Sequence, residues 1–374
     1  MEHQPVIPAY HGGCNRGVAP ALLGPAGTSD LPDWFPEPVR GASAVVVLVV
    51  DGLGWLQLQD HGVHAPTMGG FAGGPITTVA PSTTATALTS ITTGLTPAEH
   101  GIVGYRVDLG GEVVNMLRWT SAKGDARRRH VPSEVQPFPS FLGQPVPVVS
   151  KVELSESAFT QAHLAGAKYY GWRTPSNIAV EVAARVAAGA PLVYAYYDGI
   201  DKTAHERGFG PFYDAELRAV DRLVEELLAA VPEDVAVVVT ADHGQVMVGD
   251  RVITPDRSVL ALTRMQSGEG RFRWLHARGG AAGDLCAAAT ACHGDVAWVV
   301  SREQALDEGW FGRNASTSIV RRYGDVALVA REPVSFDDPA DSGPFQLIGR
   351  HGSLTEAEML VPLIAARGQS GPSS

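Results

Sequence analysis

Residues 44–52 read AVVVLVVDG. Ala44 to Val50 is an unbroken, mostly β-branched apolar run, and Asp51-Gly52 ends it. An antiparallel strand with one wet face alternates apolar and polar residues, so an unbroken run predicts a strand covered on both faces. Two later stretches end alike: residues 191–200, PLVYAYYDGI, lead into Asp201 and His205, and residues 235–240, VAVVVT, lead into Asp242 and His243. Further strands are predicted at 76–79, 146–149 and 360–366, and helices at 55–61, from a start at 81–84 to near 94, 155–165, 177–188 and 213–231. Strands alternating with helices of this length predict an α/β chain, a three-layer α/β/α fold around a mostly parallel central sheet.

Residues 1–40 are rich in Pro and Gly and read as an irregular lead-in. Residues 245–347 break the alternation, mixing short strands at 272–275 and 297–300 with helices at 282–291 and 302–308. They are expected to form an inserted cap subdomain, with 1–244 and 348–374 as the catalytic core. Arg106 to Leu117 reads as a hairpin around Gly110-Gly111.

The 374 residues carry a formal charge of −11, and 45% are hydrophobic. That balance fits a soluble globular chain and argues against nucleic-acid polymers or anionic membranes as partners. It does not exclude a phosphate substrate, because bound cations reverse the local field. Cys14, Cys286 and Cys292 suggest no disulfide framework, and Cys286 and Cys292 beside His293 lack the second pair that a zinc site needs. No leader or membrane-spanning run is evident, so a cytoplasmic location is expected.

Ligands of open α/β sheets bind beyond the carboxyl ends of the strands. Asp51, Asp198, Asp201 and Asp242 all fall there, and such a cluster repels itself unless cations are present. With His205, His243 and His351 (the last in GRHGS), the carboxylates and imidazoles suit two divalent ions, zinc first, with manganese or iron as alternatives. Asp201 and His205 stand four residues apart, on one side of a helical turn. A lone Asp-Gly is a common turn, and a lone Asp-x-x-x-His a common surface contact. Several such signals in order, each after a strand, are not. His3, His11, His61, His64, His130, His163, His276 and His293 lack this context and are read as surface or packing residues.

Residues 80–94, APSTTATALTSITTG, place Ser82, Thr83 and Thr84 at a helix start. Ser and Thr often only cap helices there. The same position favours an alkoxide and a transferring phosphate, through the backbone N–H groups and the helix dipole. Composition does not choose among the three hydroxyls. Tyr169, Tyr170 and Trp172 precede a Pro-containing turn, where core packing is a simpler role than stacking on a substrate.

Together VVVLVVDGLG, APSTTATALTSITTGLTPAEHGIVGY, YDGIDKTAHERG, VTADHGQ and RHGS resemble the alkaline phosphatase superfamily, in particular its nucleotide pyrophosphatase/phosphodiesterase branch. The resemblance implies a mixed central sheet between helices and two zinc ions. It places the nucleophile ten residues before Gly94, at Thr84, with Thr83 next. It implies one metal held by Asp201, His205 and His351, and another by Asp51, Asp242, His243 and the Thr84 oxygen. Attack by Thr84 on phosphorus would give a phosphothreonine, which water then hydrolyses with net retention. Tyr105 stands where the branch carries an asparagine, leaving Tyr105 or Asn115 as phosphate-binding candidates. The sulfatase signature is absent, and no arginine adjoins Thr84, which favours diesters over monoesters.

A small-molecule phosphate ester is therefore the expected substrate, and a phosphodiesterase or nucleotide pyrophosphatase the expected enzyme. The alternatives are a phosphomonoesterase or phosphonate hydrolase on the same scaffold, a phosphoglycerate mutase relative, or a non-catalytic metal- or phosphate-binding protein.

Overall fold

The computed structural model describes residues 4–341 and 347–369; His3 lies outside them. Seven strands form the central sheet: β1 (Ala44–Val50), β2 (Ala72–Thr77), β3 (Pro147–Lys151), β4 (Lys168–Trp172), β5 (Leu192–Tyr197), β6 (Val235–Thr240) and β7 (Leu360–Arg367). Their spatial order is β2-β7-β6-β1-β5-β3-β4. The five strands β6, β1, β5, β3 and β4 run parallel, while β7 pairs antiparallel with β6 and with β2. The sheet is thus mixed and mostly parallel. All residues of β1 and β6 are buried, as their unbroken apolar sequences require.

This order brings the carboxyl ends of β1, β5 and β6 side by side at the middle of the sheet. Asp51 is tied to β5 by its N–H, which donates to the Tyr197 carbonyl at 2.9 Å. The amphipathic helices Asn177–Ala187 and Pro211–Ala230 pack on each other, and the first also packs on β3 and β5. Helix α1 (Thr84–Thr93) is buried along its whole length. Thr89, Thr92 and Thr93 satisfy their hydroxyls by donating to the carbonyls four residues back, at 2.6–2.9 Å, so a threonine-rich helix can lie in a core. Gly94 ends it at φ 74°, in the left-handed region that glycine adopts without a Cβ clash.

The lead-in packs more firmly than its composition suggests. Cys14 and Asn15 are fully buried, and Asn15 donates to the Thr78 hydroxyl at 2.9 Å. Tyr169 and Tyr170 lie on the edge strand β4, and the Lys151 ammonium sits 5.4 Å from the centre of the buried Trp172 ring.

A second, antiparallel sheet orders Thr263–Glu269, Phe272–Ala277, Val326–Ala330 and Ala297–Ser301, with a separate apolar cluster against helix Ala282–His293. Its first hairpin is anchored to the chain after His351. The fully buried Arg271 guanidinium grips the fully buried Glu358 carboxylate through two 2.7 Å hydrogen bonds. No helix among the described residues is long and apolar enough to cross a membrane.

Candidate active site

Six side chains converge at the carboxyl end of the sheet. Asp51 follows β1, Asp242 and His243 follow β6, and Asp201 and His205 lie on helix α2 (Gly199–Arg207) after β5. His351 arrives with the chain that leads back to β7. Ligand atoms of Asp201, His205 and His351 lie within 4.8 Å of one another, as do those of Asp51, Asp201 and His243. Asp201 therefore borders both groups. Asp242 completes the second group, with Oδ2 3.4 Å from His243 Nε2. The turn between them is tight: a Cβ on Gly52 would lie 2.6 Å from Gln245 Nε2 and 3.0 Å from Asp201, so only glycine fits.

The three imidazoles are held in one way. Nδ1 of His205, His243 and His351 faces a backbone carbonyl, of Gly349 at 2.7 Å, Gly244 at 3.1 Å and Ser82 at 2.9 Å respectively. A carbonyl only accepts, so each Nδ1 carries the proton and each Nε2 presents a lone pair inwards, which is the tautomer a metal requires. Asp51 Oδ1 and Asp242 Oδ2 are buried with no hydrogen-bond partner among the described residues. Buried carboxylate oxygens need compensation. The residues fit divalent cations.

Electrostatics agree. Burial, then the charges of Asp242 and Asp201, push the Asp51 carboxyl well above the usual range. Burial also raises Asp242, partly offset by His243. At Asp201 burial pushes up, but the charge and hydrogen bond of His205, helped by His351 and His243, bring it below the ordinary value. Burial, then the His243 charge, keeps His351 well below the usual imidazole value.

These shifts predict how chelation acts. In metal-free protein the raised Asp51 and Asp242 contribute stability below their unfolded values and lose it as pH rises through their raised folded values. Asp201 acts oppositely, losing its contribution only in strong acid. The difference in melting temperature between metal-loaded and EDTA-treated protein is therefore expected to widen from about pH 5 to about pH 8. A constant or shrinking difference contradicts this electrostatic account.

The three hydroxyls separate clearly. Thr84 is the first residue of α1, and its Oγ1 lies 3.1 Å from His243 Nε2. The Ser82 hydroxyl instead donates to the Ser353 carbonyl at 2.6 Å, and the Thr83 side chain lies against the Glu269 carboxylate. Tyr105 lines a cavity of about 300 Å³ with Thr84, Asp201, His205 and His351. Asn115 does not border it; its Oδ1 accepts from the N–H groups of Leu117 and Arg118 at 3.1 and 3.0 Å. A second cavity of about 410 Å³ opens on Thr84 beside Asp51 and is walled by Leu88, Leu154, Phe159 and Leu164.

Several contributors carried no sequence signal. Tyr196 donates a short hydrogen bond to Asp51, and Gln245 Nε2 donates to Asp201 Oδ1 at 2.7 Å. Lys151 reaches Asp198 at 2.6 Å, and Lys202 shares that carboxylate. Period-2 alternation would have pointed Tyr196 and Asp198 the same way; nothing local marks Lys151. Cys286 and Cys292 are free, and they join no metal-ligating group among the described residues.

A comparison with curated protein sequences finds no match. Among solved structures, the chain resembles murine ectonucleotide pyrophosphatase/phosphodiesterase 5, at TM-score 0.64 and 18% identity over 88% of each chain. The human form of that protein gives 0.58 and 16% over 88% of each chain. Phosphonoacetate hydrolase from Sinorhizobium meliloti, in complex with phosphonoformate, gives 0.63 and 18%, covering 90% of this chain and 92% of that one. These likenesses establish the fold. The model of the type I phosphodiesterase / nucleotide pyrophosphatase family matches residues 45–181 and 150–354, most of the chain and every ligand candidate above. The chain belongs to this family of type I phosphodiesterases and nucleotide pyrophosphatases and is a hydrolase of phosphoric esters.

Proposed function

We propose that the protein hydrolyses phosphodiester or pyrophosphate bonds with Thr84 as nucleophile. The observation that carries this reading is the placement of Thr84 between two cavities. A phosphodiester has two substituents on phosphorus, and the cavities of about 410 and 300 Å³ both border Thr84. A monoester would leave one cavity without a role.

Asp201, His205 and His351 would hold one divalent ion, and Asp51, Asp242, His243 and the Thr84 oxygen a second; the N/O donor set favours zinc. Bound there, the ions supply positive charge against the attacking and leaving oxygens. The chain's own groups do the rest. The start of α1 aims backbone N–H groups at the phosphoryl oxygens. Thr84 gives up its hydroxyl proton to solvent and its Oγ bonds phosphorus as the P–O bond to the ester oxygen on the far side breaks, that oxygen leaving with a proton taken from water. A water oxygen then displaces Thr84 from the phosphothreonine. Two in-line displacements give net retention at phosphorus. Tyr105 borders the cavity of about 300 Å³ and would donate to a phosphoryl oxygen. The described part of residues 245–347, which includes the second sheet, would act as a cap that shapes the cavity around Glu269, Arg271 and Asp341. The murine relative's inactive threonine-to-alanine form, described in complex with AMP, supports a threonine nucleophile and a nucleotide-sized ligand.

Zinc-loaded protein is expected to turn over bis-p-nitrophenyl phosphate with kcat/KM at least about tenfold above p-nitrophenyl phosphate, since losing one bound substituent removes transition-state contacts. A preference for the monoester would overturn the diester assignment and leave the phosphomonoesterase alternative.

A further inference from the structure

We propose that Arg118 binds a second anionic group of the substrate, a phosphate or carboxylate next to the phosphoryl group. This rests on the reading of Thr84 as the attacking hydroxyl. Four described residues border both cavities at Thr84: Thr84 itself, Leu117, Arg118 and Asp201. Arg118 is the cation among them, and it also borders a larger cleft of about 740 Å³. An anion attached to the reacting phosphorus on either side meets its guanidinium.

The backbone beneath Arg118 is fixed while its charge is left over. Its N–H donates to Asn115 Oδ1 at 3.0 Å. The next residue, Trp119, is fully buried at φ 54° and donates from Nε1 to the His130 carbonyl at 2.6 Å. Most other cations of this region are paired among the described residues, and Arg128, which is not, borders neither cavity. Arg106 pairs with Asp338, Lys123 and Arg129 with Glu112, and Arg127 with Asp125. Arg118 pairs with none of the described carboxylates. Burial, then the Asp341 charge, raises the nearby Tyr105 hydroxyl, itself a candidate phosphate contact, and the Arg118 charge opposes that rise. A planar guanidinium matches a carboxylate or phosphate edge with two parallel N–H bonds, and a concave site strengthens that contact over one on open surface.

Calorimetric titration of zinc-loaded protein tests this. Methylphosphonate offers only a phosphoryl mimic; phosphonoacetate adds a carboxylate. Wild type is expected to bind phosphonoacetate at least about tenfold tighter than methylphosphonate. Arg118→Ala, with an unchanged melting temperature, should abolish that preference, and Arg118→Lys should restore part of it, because charge returns without the fork. Arg128→Ala removes a charge from the same hairpin region without touching either cavity, and should keep the wild-type preference. Equal affinities in wild type, a preference that survives Arg118→Ala, or one lost equally in Arg128→Ala each overturn the proposal. Wild type that binds neither ligand overturns the phosphoryl site, and this subsite with it.

Discussion

Thr84→Ala is expected to lower turnover by ~10⁴-fold or more, since removing a nucleophile leaves only binding and electrostatic assistance. The metal content, measured by elemental analysis, should stay at two equivalents. Six of the seven proposed ligands remain in that variant, and Thr84 contributes only an oxygen beside His243 Nε2. Thr84→Ser keeps a hydroxyl on the same helix turn and should retain measurable turnover. The neighbouring hydroxyls provide the contrast. Ser82 is bound to the Ser353 carbonyl and Thr83 lies against Glu269, whereas Thr84 is the hydroxyl that bonds His243. Full activity in Thr84→Ala with loss in Thr83→Ala would transfer the role to Thr83. Loss of metal in Thr84→Ala would make the hydroxyl a structural ligand rather than the nucleophile.

The second large effect lies outside the reaction centre. Arg271→Met should destabilise the fold by about 3–5 kcal/mol, because it strands the Glu358 carboxylate as an uncompensated buried charge. Arg271 also donates to the carbonyls of Glu332 and Val334 at 2.9 and 2.8 Å, and these lose their partner too. Glu358 accepts from the Ser353 N–H at 2.9 Å, so the damage reaches the segment that carries His351. The double variant Arg271→Met, Glu358→Gln removes both charges and should recover much of the loss, since a buried pair can be replaced by uncharged groups at little net cost. Urea unfolding of the three proteins measures this. A single variant as stable as wild type would show that the pair is not the anchor between the second sheet and the core. The same variant should also lose activity before it unfolds, because Glu269 and Arg271 line the Thr84 cavity from one hairpin turn.

The strand-ending positions of Asp51, Asp201, His205, Asp242 and His243 were legible in the sequence. Continuous apolar runs mark parallel strands, and functional side chains in such sheets follow the strand that carries them. The parallel direction of β6, β1 and β5 follows from the same pattern, but their spatial order does not. The antiparallel β7 and β2 do not, because pairing direction depends on where a connection returns, not on local periodicity. The edge strand β4, whose alternation KYYGW is short and partly exposed, also escaped the pattern. The choice among Ser82, Thr83 and Thr84 was beyond local sequence as well: three adjacent hydroxyls share every propensity, and only the direction of each side chain against Ser353, Glu269 and His243 separates them.

By itself, the sequence determined the fold class, the family and the chemical types gathered at the strand ends, because these follow from local apolar periodicity and from residues next to it. Only the tertiary structure decided that Asp201 borders both ligand groups, that the three site imidazoles turn Nε2 inwards, that Asn115 borders the larger cleft and not the cavity at Thr84, and that Arg118 stands unpaired between two cavities. Those facts depend on contacts between segments far apart in the chain, such as Asp51 with Tyr196 or His351 with Ser82. Their geometry is set by packing, which no local pattern encodes.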